Sequence, residues 1–243
     1  MKIDILTLFP EFTDSMKTWS IISRGIESGL VEINSVNIRD FSANKHKKVD
    51  DYPYGGGPGM VMTPQPLYDA LKGVNSQNKK TIYLSPMGKP LNQEKLMELS
   101  KEKELVLLCG HYEGIDQRII DNYVDEEISI GDFILTGGEL PAMVLIDGIV
   151  RLIPGVLNNE DSSVEESFSN GLLEHNQYTR PEDFMGHRVP EVLLSGNHKK
   201  IDEYKIESSI RNTLNKRPDL IDTDKLSKEE LEVYKGLRSE TNK

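Results

Sequence analysis

A single cysteine, Cys109, rules out an intramolecular disulfide framework and fits a reducing, cytoplasmic setting. No run approaches the roughly 18 apolar residues that a membrane-spanning helix needs, so no membrane partner is expected. The opening stretch MKIDILTLFP lacks the long apolar core and cleavage site of a signal peptide and reads as a buried first strand. Acidic residues, 40 Asp and Glu, outnumber the 29 Lys and Arg. The net charge of −11, taken alone, argues against a nucleic-acid binder, because affinity for phosphate needs cations. The five histidines, His46, His111, His175, His187 and His198, show no paired metal-ligand spacing, so a structural zinc site is not expected. A Gly-x-Ser-x-Gly elbow is missing, which removes support for a serine hydrolase. Cys109 ends an apolar strand, where an inert buried thiol outweighs a nucleophile.

What is present suits a globular α/β chain. The 243 residues allow one large domain or two smaller ones, and 37% hydrophobic with 28% charged residues is ordinary for a soluble fold. Ile3–Phe9, Val31–Ile38, Thr81–Leu84, Glu104–Cys109 and Glu127–Ile130 read as strands. Thr18–Ser28 reads as a helix closed by Gly29, and Asn92 can cap another running to about Lys101. Such alternation implies a largely parallel sheet. Leu140–Ile153 is the most apolar helix, with Pro141 and Glu139 suited to its first turn and apolar residues on most of its circumference. A helix of this kind is buried nearly all round, in a thick core or at a subunit interface. After Gly155 the chain turns polar and acidic. We therefore expect a domain over residues 1–155, a flexible linker over 156–177 and a helical domain over 178–243, with helices at Ile201–Leu214 and Ser227–Leu237.

Three segments place glycine or proline directly after a strand: LSPMG (84–88), CGHYEG (109–114) and ISIGDFILTGGELP (128–141). Ligands of open α/β sheets bind at the carboxyl ends of strands, so three such loops together point to a small-molecule pocket. The glycine-rich stretch YGGGPGM (54–60) is neither a phosphate loop nor a dinucleotide fingerprint. No Gly-Lys-Ser/Thr follows it, Pro58 interrupts it, and it does not open a helix after a strand. It is either a flexible surface loop or, given the basic run Lys45–Lys48 just upstream, a loop that meets phosphate. Further basic groups stand at His198, Lys199, Lys200 and at Arg211, Lys216, Arg217. By composition these are solvated patches, although segregated charge can outweigh an unfavourable net charge. Arg151, near the end of the apolar helix, can snorkel or neutralise the helix dipole, and Glu165 and Glu166 form a solvated acidic pair.

Taken in order, LTLFPE, NKHKKVDDYPYGGGPGM, YLSPMG, CGHYEGIDQR, EISIGDFILTGGELPA, RLIPGVL, EESFSNGLLE, QYTRPEDFMG, VPEVLLSGNH and NKRPDL span residues 6–220 and resemble the bacterial tRNA (guanine-37-N1)-methyltransferase family. That family belongs to the SPOUT class, whose chain threads a trefoil knot. The resemblance implies a knotted parallel-sheet α/β domain with a small C-terminal helical domain. It also implies a homodimer whose active site is completed by both subunits, and S-adenosylmethionine as cofactor. The cofactor would meet Leu84, Ser85, Pro86, Gly88, Gly110, Glu113, Ser129, Ile130, Gly131, Leu135, Gly137, Gly138 and Pro141. The resemblance implies Glu166 as the general base and Arg151 as the cation that steadies charge on guanine O6. Many members carry aspartate at the position of Glu166. Glu165 is adjacent, but Glu166 directly precedes the Ser167–Phe168 that anchors the motif. The implied substrate is tRNA with guanosine at positions 36 and 37, not DNA, and its methylation maintains the reading frame. Lys45, His46, Lys48, Gly59, Met60, Arg180, His198, Lys216 and Arg217 would grip it. Mg²⁺ dependence is implied as well, with no ligand set marked in the sequence.

Overall fold

The computed structural model describes residues 1–157, 167–168 and 171–241. The chain divides into two compact units, Met1–Asn158 and Asn159–Lys243.

The first unit is built on strands β1 (Lys2–Thr7), β2 (Glu32–Asn37), β5 (Lys80–Pro90), β6 (Glu104–Cys109) and β7 (Glu126–Ser129). They form one sheet in the order β2-β1-β6-β5-β7, and every neighbouring pair is parallel. A two-stranded antiparallel ribbon, β3 (Asp50–Asp51) with β4 (Val61–Met62), brackets the glycine-rich loop. Leu105–Cys109 of β6 are fully buried, as a parallel strand covered on both faces requires. Period-two alternation sorts its side chains. Leu105, Leu107 and Cys109 join Ile3, Ile5, Ile82 and Leu84 in one core, while Val106 and Leu108 join Leu6 and Tyr83 in the other.

Helices α1 (Pro10–Asp14), α2 (Ser20–Glu27), α3 (Pro64–Gly73), α4 (Gln93–Leu99), α5 (Gln117–Tyr123) and α6 (Glu139–Val150) complete this unit. Residues of α2, α4 and α6 fill the first core, and those of α3 and α5 fill the second. Gly29, at φ +72°, ends α2 as its C′ residue, and the Asn92 side chain accepts from Lys95 N–H to cap α4, both as the sequence suggests. Sequence periodicity misses α1, α3 and α5: α1 has 5 residues, α5 has 7, and α3 opens on Pro64 and Pro66. The apolar helix is shorter than expected, and it is not buried all round. Leu140 and Val144, one turn apart, remain about half exposed in the single chain.

β5 runs well past the expected 81–84. Its register against β7 shifts between Leu84 and Lys89, both of which pair with Ile128, so residues 85–88 step out of the ladder. Gly88 is held there by closeness alone. A Cβ on it would come within 2.7 Å of the Glu127 carbonyl oxygen.

The second unit is helical at its centre, with α8 (His198–Lys216) packed on α9 (Lys228–Thr241) around Leu172, Ile210 and Leu237. α8 exceeds its sequence-based bounds at both ends, and α9 runs past its expected end at Leu237 to Thr241. Asn197 caps α8, and Ser227 with Glu230 forms a reciprocal capping box at the start of α9. Before them come a small hairpin, β8 (Asp183–Phe184) with β9 (His187–Arg188), and the short α7 (Glu191–Leu194), where the sequence suggests helix alone. Met185 and Gly186, both at positive φ, make its turn. The expected 156–177 linker is anchored at both ends. Val156 is buried in the first core, and residues 173–176 lie along α8. Leu173 N–H donates to Thr213 Oγ1 at 2.9 Å, Asn176 N–H to Ser208 Oγ at 3.0 Å, and Asn212 Nδ2 to Glu174 O at 3.0 Å. These polar residues of α8 face chain rather than water, and hydrophobic periodicity cannot register that.

Candidate active site

The step within β5 at residues 85–88 and the loops that follow β6 and β7 converge on a cavity of about 320 Å³ at the carboxyl edge of the sheet. Of the residues expected to meet a cofactor, all but Gly88 line it. Gly88 lies instead against the backbone of β7, where it lets residues 85–87 form the wall. Also on the wall, and missed by sequence reasoning, are Tyr83, His111, Gln117, Phe133, Ile134 and Thr136.

Glycine sets the shape of this cavity. A Cβ on Gly110 would stand 2.7 Å from Tyr83 Oη, and one on Gly138 would stand 2.7 Å from Cys109 Cα. Gly138 N–H donates to Gly110 O at 2.9 Å, which joins the second loop to the third. In the third loop Gly131, at φ +146°, donates N–H to Ser129 Oγ at 3.2 Å. The glycine-rich loop closes on the second loop from outside. Glu113 N–H donates to Met60 O at 2.9 Å, and a Cβ on Gly59 would collide with the Glu113 side chain. Burial pushes the Tyr83 hydroxyl up to about 12 and lifts the Cys109 thiol well above its usual range, so both stay protonated and neutral. Cys109 is therefore the inert thiol that its strand position suggests.

The sequence profile described as "tRNA (Guanine-1)-methyltransferase" matches residues 1–223. The chain belongs to the tRNA (guanine-1)-methyltransferase family. Relatives named tRNA (guanine-N(1)-)-methyltransferase include one from Clostridioides difficile, 60% identical over 90% of this chain and 97% of its own length. Another, from Clostridium perfringens, is 57% identical over 97% of this chain and 100% of its own. A third, from Alkaliphilus metalliredigens, is 58% identical over 95% of each.

Against that family identity, the remaining site residues fall in separate places. Arg151 is the C-cap of α6, its N–H reaching Asp147 O at 3.3 Å, and does not line the cavity. Pro141, which does, sits in the first turn of the same helix, so about 15 Å of helix axis separates the two residues. Glu165 and Glu166 lie outside the described residues. Lys45 and His46 are exposed beside the glycine-rich loop. Lys48 pairs with Asp51 at 3.3 Å, and Lys47 pairs with Asp40, so this basic run is partly neutralised. In the second unit Arg180 is exposed, and Arg217 is held in a two-point pair with Asp219 at 2.9 and 2.7 Å. His198 and Lys216 begin and end α8, about 27 Å apart along its axis, so they do not form one cluster.

Proposed function

We propose that this chain transfers the methyl group of S-adenosylmethionine to N1 of guanosine 37 in tRNA, an activity that maintains the reading frame. The cavity carries the proposal. It is concave, close to the lower size limit of small-ligand sites, and lined by residues of three glycine-bearing loops. Such a wall suits a nucleoside, whose edges are read by amides and carbonyls. When bound, the cofactor supplies an electrophilic methyl on a sulfonium sulfur.

The remaining chemistry falls to side chains. The N1 proton of guanine is weakly acidic and must leave as the nitrogen attacks. Glu166 takes that proton, and the Arg151 guanidinium meets the charge that builds on O6. Because Arg151 stands far down α6 from the cavity of its own chain, it serves the cavity of a second copy. Half-exposed Leu140 and Val144 on α6, with exposed Phe12 on the adjoining α1, form the apolar face on which that copy docks. Light scattering at micromolar concentration is expected to give twice the 27.5 kDa chain mass, and a monomeric mass would sink the shared site.

The knotted chain path is part of this proposal and follows from membership of the family; the step of residues 85–88 beside β7, with Gly88 against its backbone, lies in the region concerned. Lys45, His46, Lys48, Gly59 and Met60 in the first unit, and Arg180, His198, Lys216 and Arg217 in the second, are the groups we assign to tRNA. The anticodon loop suits this chemistry, because single-stranded bases can be splayed into a pocket. No helix among the described residues is long and apolar enough to cross a membrane. The cytoplasmic setting in this proposal follows from the tRNA substrate. Among the described residues no group of three or more His, Cys, Asp or Glu could hold a metal ion, and no ligand is assigned to Mg²⁺.

The test is methyl transfer to unmodified tRNA with guanosines at positions 36 and 37, beside a control with guanosine 37 replaced. Nucleoside digestion should yield 1-methylguanosine from the first and none from the second. A ribose-methylated product, or equal transfer to the control, would overturn the assignment.

A further inference from the structure

His111, on the cavity wall, meets Thr7 and Glu139 just behind it, and none of the three has a part in the chemistry above. Glu139 opens α6 and is only 3% exposed. So dry a carboxylate is costly unless donors satisfy it. Thr7 Oγ1 donates to its Oε1 at 2.6 Å, and His111 Nε2 lies 2.8 Å from its Oε2. The Thr7 oxygen itself accepts from Phe9 N–H at 2.9 Å, and the Phe9 ring packs against the imidazole with centroids 4.9 Å apart. The trio thus ties the end of β1, the loop after β6 and the start of α6. Gly137 is needed at the joint, since a Cβ there would strike both His111 Nε2 and the Glu139 carboxylate.

We propose that the Glu139–His111 pair positions the cofactor loops: it clamps residues 135–138 onto residues 110–114 and so sets the backbone groups that face S-adenosylmethionine. The proposal rests on reading the cavity as the cofactor site. In this clamp Glu139 is the acceptor and His111 Nε2 carries the hydrogen across the 2.8 Å contact. The essential feature is a donor at the Nε2 position, not an imidazole as such.

That requirement gives an asymmetric test. A glutamine amide nitrogen reaches the Nε2 position, whereas the shorter asparagine stops near Nδ1. Calorimetry on the full-length protein should show His111→Asn weakening S-adenosylmethionine binding at least tenfold, or about 1.4 kcal/mol. His111→Gln should stay within threefold of the unsubstituted protein. The KM for tRNA should be unmoved in both variants, a split that general loss of structure would not produce. Thermal melts of both confirm that the comparison is between folded proteins. Normal binding by His111→Asn, or equal loss by His111→Gln, would overturn the clamp while leaving the cofactor reading intact. Absence of binding heat from the unsubstituted protein would instead overturn the cofactor reading, and the clamp with it.

Discussion

Alanine at Arg151 is expected to lower kcat for methyl transfer by about 10²–10³-fold, the usual loss when one donor to a developing oxyanion is removed. Alanine at Glu166 should cost about 10²–10⁴-fold, the range for a general base. Neither change should alter S-adenosylmethionine affinity by more than a few-fold. Arg151 does not line the cavity of its own chain, and the loops that do are tied to one another through Gly110 and Gly138. Single-turnover assays with saturating cofactor and tRNA separate chemistry from binding. Near-normal turnover by either variant would remove that residue from the mechanism. Mixing the two variants adds a sharper reading. If the base and the cation of one site come from different subunits, a heterodimer restores one intact site in two, and activity should return on mixing. Failure to recover any activity would put both groups on one subunit.

Alanine at Gly138 should abolish useful cofactor binding, raising the dissociation constant more than tenfold. The added Cβ would stand 2.7 Å from Cys109 Cα and 3.1 Å from Gly110 N, both main-chain atoms at the end of a fully buried strand. No rotamer change relieves a clash with backbone, so the third loop must lift away. That breaks the Gly138–Gly110 hydrogen bond and opens the cavity wall. Overpacking of this kind costs about 1–3 kcal/mol, and a melt should fall by several degrees. Gly236 supplies the control. It lies within α9, and a Cβ added there would meet nothing within 4 Å, so Gly236→Ala should hold or slightly raise stability. Wild-type affinity in Gly138→Ala would show that this close approach is not what shapes the pocket.

The loops that line the cavity are legible in the sequence because their signal is local. Glycine or proline directly after a buried apolar strand marks a turn at the strand's carboxyl end, and all three such turns converge on the cavity. Gly88 is absent from that lining, and its missing side chain makes room for the backbone of β7. In sequence Glu139 reads as a residue complementing the helix dipole. Its burial, and its bonds to Thr7 and His111, depend on chain segments that no window of sequence contains. The segment 173–176 reads as linker for a similar reason. Its hydrogen bonds go to Ser208, Asn212 and Thr213, which look like the solvent face of α8 until the chain that covers them is in view.

From the order of residues alone came the α/β class, the strands of the sheet, the turns that line the cavity and the family. Strand alternation, capping and glycine sterics act over a few residues, so they are written where they act. Tertiary structure decided which turns share one cavity, which carboxylate is dry and how far Arg151 stands from the cavity of its own chain. Those outcomes depend on pairings such as Thr7 with Glu139, separated by 132 positions, and on burial that turns an ordinary polar contact into a requirement.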